Sequence, residues 1–379
     1  MALDLIGDAI GLTRRIRERI GEALGLRPEQ VMVTFTHAHA TPETIGLTDH
    51  RVHPQWVDLV ANRAADAATQ AVANMAPCRL FVGEGQLAGV AVNRAARDNK
   101  DGMARLSESE RKRYATLDET VRVAAFCREN GSILGTLFSF ACHPVCVQTQ
   151  GFISADWPGA ALRRLEARHQ AIFLNGACGD ADPVRMRSYE ALEWTGQQVA
   201  GKVEEILAKR TASERPSEGP ALGARRRIEI PRRDAGCIEE LEREGRQLEA
   251  AAAGEARDGP LHERLFDVRE KLALARMPST LDGEVQVLKI GPLVLVGVPG
   301  EMVACVADDI RRALPGVNAW VVGYANGYLG YAVSELSFRT DAYESAPGRW
   351  SPLAPGGGER LRDEAIALAR ETVSLGCGL

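Results

Sequence analysis

The stretch Val121-Arg-Val-Ala-Ala-Phe-Cys127, then Arg-Glu-Asn-Gly-Ser, then Ile133-Leu-Gly-Thr-Leu-Phe-Ser-Phe-Ala-Cys142, runs straight into His143-Pro144. Two apolar runs rich in β-branched and aromatic residues, separated by Asn130-Gly131, predict an antiparallel hairpin closed by a tight turn. A second hairpin is expected from Val285 to Ile290 and Leu293 to Val298, turned at Gly291-Pro292. Hairpins interrupt the strand-helix regularity that a βα barrel requires. The expected fold class is therefore α/β (α+β), with mixed β-sheets flanked by helices.

Outward from these hairpins, apolar periodicity predicts helices over Asp8 to Leu24, Gln55 to Met75, Tyr189 to Arg210, Val303 to Leu314 and Glu359 to Val373. Another is expected over Trp157 to Arg168, with Asp156 as its N-cap and Pro158 in its first turn. Strands are expected over Val31 to Thr36, Ala171 to Asn175 and Ala319 to Gly323, with two or three more between Arg79 and Val92. Asn93 to Leu117 is polar and lacks apolar periodicity, so it reads as a long loop. Thr211 to Pro220 reads as a connector. Ile238 to Ala275 reads as two charged helices broken near Gly259-Pro260, a helical insertion over residues 236–277 that serves as a lid or a solvated support. No internal repeat is visible.

A chain of 379 residues with 45% hydrophobic and 26% charged residues can bury a large core, and a single domain over 1–379 is expected. The net charge of -5 and the arginine clusters lying among acids argue against a nucleic-acid partner. No apolar run approaches the roughly 18 residues of a membrane span, and the first residues carry no secretory pattern. A cytoplasmic protein without an integral membrane segment is the expectation. The eight cysteines are scattered, with Cys127, Cys142 and Cys305 in apolar runs, and no CxxC pair occurs. They read as free thiols, not disulfides or a cysteine zinc site.

Chemistry-bearing residues recur just after apolar strands. Val31-Met-Val-Thr-Phe-Thr-His37-Ala-His39 ends in two imidazoles that period-two alternation sends to one side, where both can reach one bound species. His143 follows the hairpin, Asn175-Gly-Ala-Cys-Gly-Asp180-Ala-Asp182-Pro183 follows a short strand, and Pro299-Gly300-Glu301 follows the second hairpin. Each has a structural alternative: a core histidine, a turn, a helix-start carboxylate. Together they predict strand ends converging on one sheet edge.

Six blocks in order resemble the catalytic domain of the neutral/alkaline non-lysosomal ceramidase family. They are Thr36-His-Ala-His-Ala-Thr-Pro42, Gly89-Val-Ala-Val-Asn-Arg94, Ala141-Cys-His-Pro-Val145, Gly179-Asp-Ala-Asp-Pro183, Pro299-Gly-Glu301, and Ala325-Asn-Gly-Tyr-Leu-Gly-Tyr331 with the later Tyr343-Glu344. The resemblance implies a neutral ceramidase catalytic-domain-like fold and one zinc ion held by His37, His143, Glu301 and Tyr331. It also implies His39 on the substrate side, Arg94 in the pocket and Tyr343 stabilising an oxyanion. The expected reaction is zinc-dependent hydrolysis of an amide (N-acyl) or ester bond by zinc-hydroxide attack, on a small-molecule or lipid-like substrate.

Asp182 departs from the pattern, because a serine implicated in amide cleavage stands there in ceramidases. A serine nucleophile cannot operate from this position, which leaves Asp182 as general base, metal ligand or loop-shaping residue. Ala40-Thr41 replaces Ser-Gly, no β-sandwich follows the catalytic part, and the start reads as clipped, with an earlier strand or signal peptide missing. A true ceramidase is therefore not expected. Two rivals are a metal-binding homologue without turnover and an amidohydrolase-type barrel. A metallo-β-lactamase-like site would need Asp-His after HxH, where this chain has Thr41-Pro42.

Overall fold

Period-two alternation of apolar residues builds the molecule from two sheets rather than one. The computed structural model describes residues 1–47, 52–148, 150–210, 221–252 and 259–375, so the expected Thr211 to Pro220 connector lies outside the described residues. In the first sheet the spatial order is Arg79–Gln86, Thr120–Cys127, Ile133–Phe140, Gln170–Asn175, antiparallel except for the last, parallel pair. In the second it is Asn318–Val322, Leu293–Gly297, Thr280–Ile290, Leu222–Pro231, with only the first pair parallel.

Both faces of each sheet are apolar, which explains the layering. Val123, Phe138 and Phe173 face the helices Asp156–Glu166 and Tyr189–Ala208, packing with Trp157, Leu165, Val199 and Val203. Their neighbours Ala124 and Leu174, with Leu80, point the other way and meet Leu293, Leu295, Trp320 and Val322 of the second sheet. Val294, Val296 and Val321 then face the helices Ala304–Arg312 and Gly357–Leu375 through Val306, Ile310, Leu361 and Leu368. The order of layers is helix, sheet, sheet, helix. Period-two side-chain alternation places each strand's residues in two different cores.

One short segment stitches the sheets together. Gly323 N donates to Asn175 O at 3.0 Å, and Asn175 Nδ2 donates to Thr36 O at 2.9 Å. The strand Thr34–Phe35 pairs in parallel with Ala2–Leu3 and bridges to Ala325 on its other side. Only these two residues of the expected Val31 to Thr36 strand are in ladder pairing, because the segment turns between three partners.

Several boundaries differ from expectation for polar reasons. The first helix spans Leu12–Leu24 instead of beginning at Asp8, whose carboxylate accepts from the amides of Ile10, Leu12 and Thr13 at 3.1, 2.9 and 2.6 Å. Asp156 is not a flanking cap. It is the first helical residue, with φ 53°, and its carboxylate takes the amides of Trp157 and Val147. The expected loop Asn93 to Leu117 folds as three short helices, Arg94–Asp98, Lys100–Ala104 and Glu108–Tyr114. Asn93, Asn99 and Ser107 cap them, so the polar residues that hide periodicity are the ones that start each turn. The edge strand Leu222–Pro231 was unforeseen because Arg225 to Arg227 mask its alternation.

Where an insertion is expected, Ile238–Ala251 and Pro260–Ala275 form a helical hairpin around a small core of Leu241, Leu248, Leu265 and Val268. Arg264–Glu244, Arg269–Glu249 and Arg276–Glu242 bridge its helices at 2.6, 2.9 and 2.6 Å. No helix among the described residues is long and apolar enough to cross a membrane. No two of the described cysteines are joined by a disulfide.

Asp8→Ala removes the acceptor for three amides and should lower stability by about 1–2 kcal/mol, read as a lower urea midpoint. Asp118 is buried against Arg122 at 2.8 Å and Arg311 at 3.1 Å. Burial alone would raise its pKa, but the two guanidinium groups outweigh it and leave it below the ordinary carboxylate value. A depressed folded pKa stabilises the protein at higher pH and loses that contribution as pH falls through it. Asp118→Asn should therefore flatten the acid limb of the stability curve below about pH 4, and an unchanged limb would refute the assignment.

Candidate active site

Each imidazole is held by the backbone before any ligand is considered. His37 lies two residues beyond Phe35, 1% exposed, in the left-handed region at φ 65°. Its amide donates to Leu5 O at 3.0 Å, and its Nδ1 bonds Ile6 O at 2.6 Å. Tyr324, also left-handed at φ 54°, stacks on the ring with centroids 4.0 Å apart. Two bulky residues in this region mark stored backbone strain, which persists only where the surroundings over-determine it. His143 leaves the hairpin strand with its amide on Ala181 O at 2.9 Å, and its Nδ1 lies 3.3 Å from the same oxygen.

Glu301 arrives from the second sheet. Its short strand, Glu301–Met302, pairs in parallel with Tyr331–Ala332, so Glu301 and Tyr331 are register partners. Gly300 makes this possible at φ 117°, where a Cβ would meet Gly330 O at 2.4 Å. That is the physical content of the Pro-Gly-Glu block.

The electrostatics of the cluster call for a positive charge. A proton on Nδ1 of His37 and of His143, facing a carbonyl, leaves each Nε2 as a bare lone pair. Both point at Glu301 Oε2, at 3.3 and 3.0 Å, and His39 Nε2 lies 3.1 Å from His37 Nε2. Lone pairs and a carboxylate in a dry interior repel unless a cation or proton sits among them. Burial works against charge on His143, yet Cys178 and Glu301 outweigh it and push its pKa up to about 10. Burial also opposes ionisation of Glu301, but His37 and His143 hold it well below the ordinary value. Burial and neighbouring imidazoles keep His39 well below the usual histidine range. His37, His39 and His143 have ligand atoms within 4.8 Å of one another and can hold a metal ion.

The resemblance gives His37 and His39 different roles. The two rings differ in anchoring: among the described residues only His37 and His143 have ring nitrogens tied to backbone carbonyls. The convergence also differs from the one-sheet-edge expectation. His37 and Glu301 come from two separate two-stranded pairings, His143 from the first four-stranded sheet, and Asp182 from a third small pairing of Ala91–Asn93 with Ala181–Pro183.

Arg94 organises the rim. Its Nε donates to Glu344 Oε1 at 2.7 Å, Nη1 to Asp182 Oδ1 at 3.0 Å, and Nη2 to Gly179 O at 2.9 Å and the Tyr331 hydroxyl at 2.6 Å. Burial opposes its charge, but Tyr331, Asp182 and Glu344 raise its pKa well above the ordinary value. Asp182 is thus ion-paired, with Oδ1 4.0 Å from His143 Nδ1, the ring nitrogen that does not face Glu301. Tyr343 stands at the mouth, 56% exposed, its phenol pushed up to about 12 by burial and Glu301. It lines a cavity of about 430 Å³ with Arg94, Asn99, Asp341 and Glu344.

Sequence reasoning missed four participants. Tyr328 donates its hydroxyl to Glu301 Oε1, Tyr324 stacks on His37, Glu344 holds Arg94, and Asp180 joins Asn93 Nδ2 to the amide of Ala304. Tyr328 was accessible, since it stands three residues before Tyr331 in one quoted block. Asp180, pushed up to about 7 by burial, supports the site without facing the imidazoles.

Residues 8–177 match the family model described as neutral/alkaline non-lysosomal ceramidase, N-terminal. The structure is similar to that of the neutral ceramidase from Pseudomonas aeruginosa, with TM-score 0.75 and 20% identity, covering 100% of this chain and 66% of that one. A ceramidase complexed with C2 gives TM-score 0.74 and 19% identity, covering 98% of this chain and 67% of that one. The chain therefore spans about two thirds of those chains' length. No curated protein matches it in sequence. The match over residues 8–177 is to the neutral/alkaline non-lysosomal ceramidase model, and the fold of the whole chain is similar to that of neutral ceramidase.

Proposed function

We propose that the chain is a zinc-dependent hydrolase of an amide (N-acyl) or ester bond, acting on a small-molecule or lipid-like acyl substrate. The observation that carries this reading is the meeting of two imidazole Nε2 atoms, on rings anchored to backbone carbonyls, with one buried carboxylate oxygen. Nitrogen and oxygen donors in that set suit zinc. His37, His143, Glu301 and Tyr331 would hold the ion, with Tyr328 holding Glu301 from outside. When bound, zinc polarises a carbonyl and lowers the pKa of a coordinated water to about 7.

The chain's own groups divide the remaining work. His39, the imidazole without a backbone anchor, takes and returns a proton on the substrate side. Tyr343 remains protonated at neutral pH and donates its phenol to negative charge developing on the substrate oxygen. Arg94 pairs with Asp182 beside the Nδ1 edge of His143, which favours an orienting and charge-balancing role over metal ligation. The same Arg94–Asp182 pairing favours a second reading, a metal-binding homologue without turnover, because the position where ceramidases carry a serine is occupied by a carboxylate ion-paired with Arg94.

Metal analysis and turnover of N-acyl amides and esters decide between them. His37→Ala, His143→Ala and Glu301→Gln should each abolish zinc retention, and retention by all three would sink the site. His39→Ala should keep zinc and lose at least a hundredfold in turnover, the lower end for a general acid-base group, roughly 10². Tyr328→Phe should weaken zinc about 10- to 100-fold, as loss of an outer hydrogen bond does. Arg94→Ala should cost about 3 kcal/mol in stability by leaving two buried carboxylates unpaired, measured by denaturant unfolding. Wild-type protein that binds zinc yet hydrolyses none of the probes would select the non-catalytic reading.

A further inference from the structure

The insertion hairpin reaches the rim of the site through a column of rings. Phe266, on the helix Pro260–Ala275, stacks on Trp350 with centroids 6.0 Å apart and planes 12° apart. Trp350 stacks on Tyr343 at 5.4 Å and 11°, and its Nε1 donates to Tyr343 O at 3.2 Å. On Tyr343 the guanidinium carbon of Arg94 lies 5.6 Å from the ring centre. Three rings thus connect the hairpin to the arginine that holds Tyr331, Asp182 and Glu344.

An ion pair runs beside the column. Glu270 follows Phe266 by four residues and so shares its helix face. Its buried carboxylate accepts from the amide and Nε of Arg349, both at 3.1 Å, and from Nη2. Arg349 Nη1 also donates to Gly46 O at 3.2 Å, in the segment that follows His39. One arginine therefore ties the insertion to the Tyr343 segment and to the chain leaving the imidazole pair.

We infer that the hairpin is a positioning element of the site, in which Phe266 and Glu270 fix the Tyr343 ring at the cavity mouth. The catalytic consequence rests on the hydrolase reading, whereas the effect on Tyr343 does not. Tyr343 is carried on a single turn, Tyr343–Ser345, and is more than half exposed, so its backbone alone leaves the ring free to change rotamer. A neighbour stacked face to face removes that freedom, and the phenol then points consistently into the cavity lined by Arg94 and Glu344.

The test uses the full chain labelled with 3-fluorotyrosine, whose six tyrosines give six fluorine resonances, with Tyr343 assigned from Tyr343→Phe. Phe266→Ala and Glu270→Gln should each shift or broaden the Tyr343 resonance while that of Tyr328 stays in place and zinc content is unchanged. Phe266→Trp should restore the signal. On the N-acyl probe that the wild type cleaves, Phe266→Ala should lower kcat/KM roughly three- to tenfold, the weight of one aromatic contact, with Phe266→Trp recovering it. A Tyr343 resonance that does not respond to either variant overturns the inference, as does a response with kcat/KM unaltered. If the wild type cleaves no probe, the hydrolase reading fails, and the fluorine spectra alone still uphold or overturn the positioning of Tyr343.

Discussion

Everything about the site follows from how two sheets with apolar inner faces are joined at their ends. The joining segment must supply hydrogen bonds to the first sheet at Asn175, to the amino-terminal strand at Leu3 and Leu5, and to the Tyr324–Asn326 turn of the second sheet. No regular strand meets three partners at once. The chain meets them with a two-residue strand and a left-handed exit at His37, and that exit turns the imidazole inward between the sheets. The position of the first imidazole is thus a property of the seam, as Tyr324 and Asn326, both left-handed on the opposing turn, also indicate. Strain of this kind is tolerated because the packed layers on either side leave the segment no alternative path.

The seam also explains why charged groups survive in so dry a place. Each buried charge is met from a different element: Glu301 by His143 and Tyr328, Arg94 by Glu344, Asp182 and Tyr331, and Asp180 by Asn93 and the amide of Ala304. Removal of one member strips its buried partners of part of their compensation, which is costlier than never having had the pair. Asp182 fits this logic, because Arg94 supplies the counter-charge that a buried aspartate demands.

Hairpins, helix faces and the polar exits after strands were legible because each writes a period or a turn residue into a short window. Asn130-Gly131 and Gly291 announce their turns, and both glycines have positive φ. What remained hidden depends on distant partners. Nothing local in Asp8 says that it will collect three amides before the helix begins, and nothing in Arg225 to Arg227 says that alternate residues Ile228 and Ile230 complete a sheet. The site blocks were readable as residues, while their assembly from separate small pairings was not, because pairing between segments about 30 to 90 residues apart leaves no periodic trace. Tyr324 lies outside the quoted blocks, and its stacking on His37 follows only from the seam.

The insertion hairpin differs from the layered body in what holds its two helices together. Four aliphatic side chains and three solvent-facing ion pairs make up most of its internal cohesion. Exposed pairs weaken as the Debye length shrinks, from about 10 Å at 0.1 M salt to about 3 Å at 1 M, whereas apolar contacts do not. The two sheets and the hairpin therefore respond to ionic strength on different scales. Added salt weakens the three exposed pairs inside the hairpin, while the buried Glu270–Arg349 pair that docks it on the layered body is screened far less.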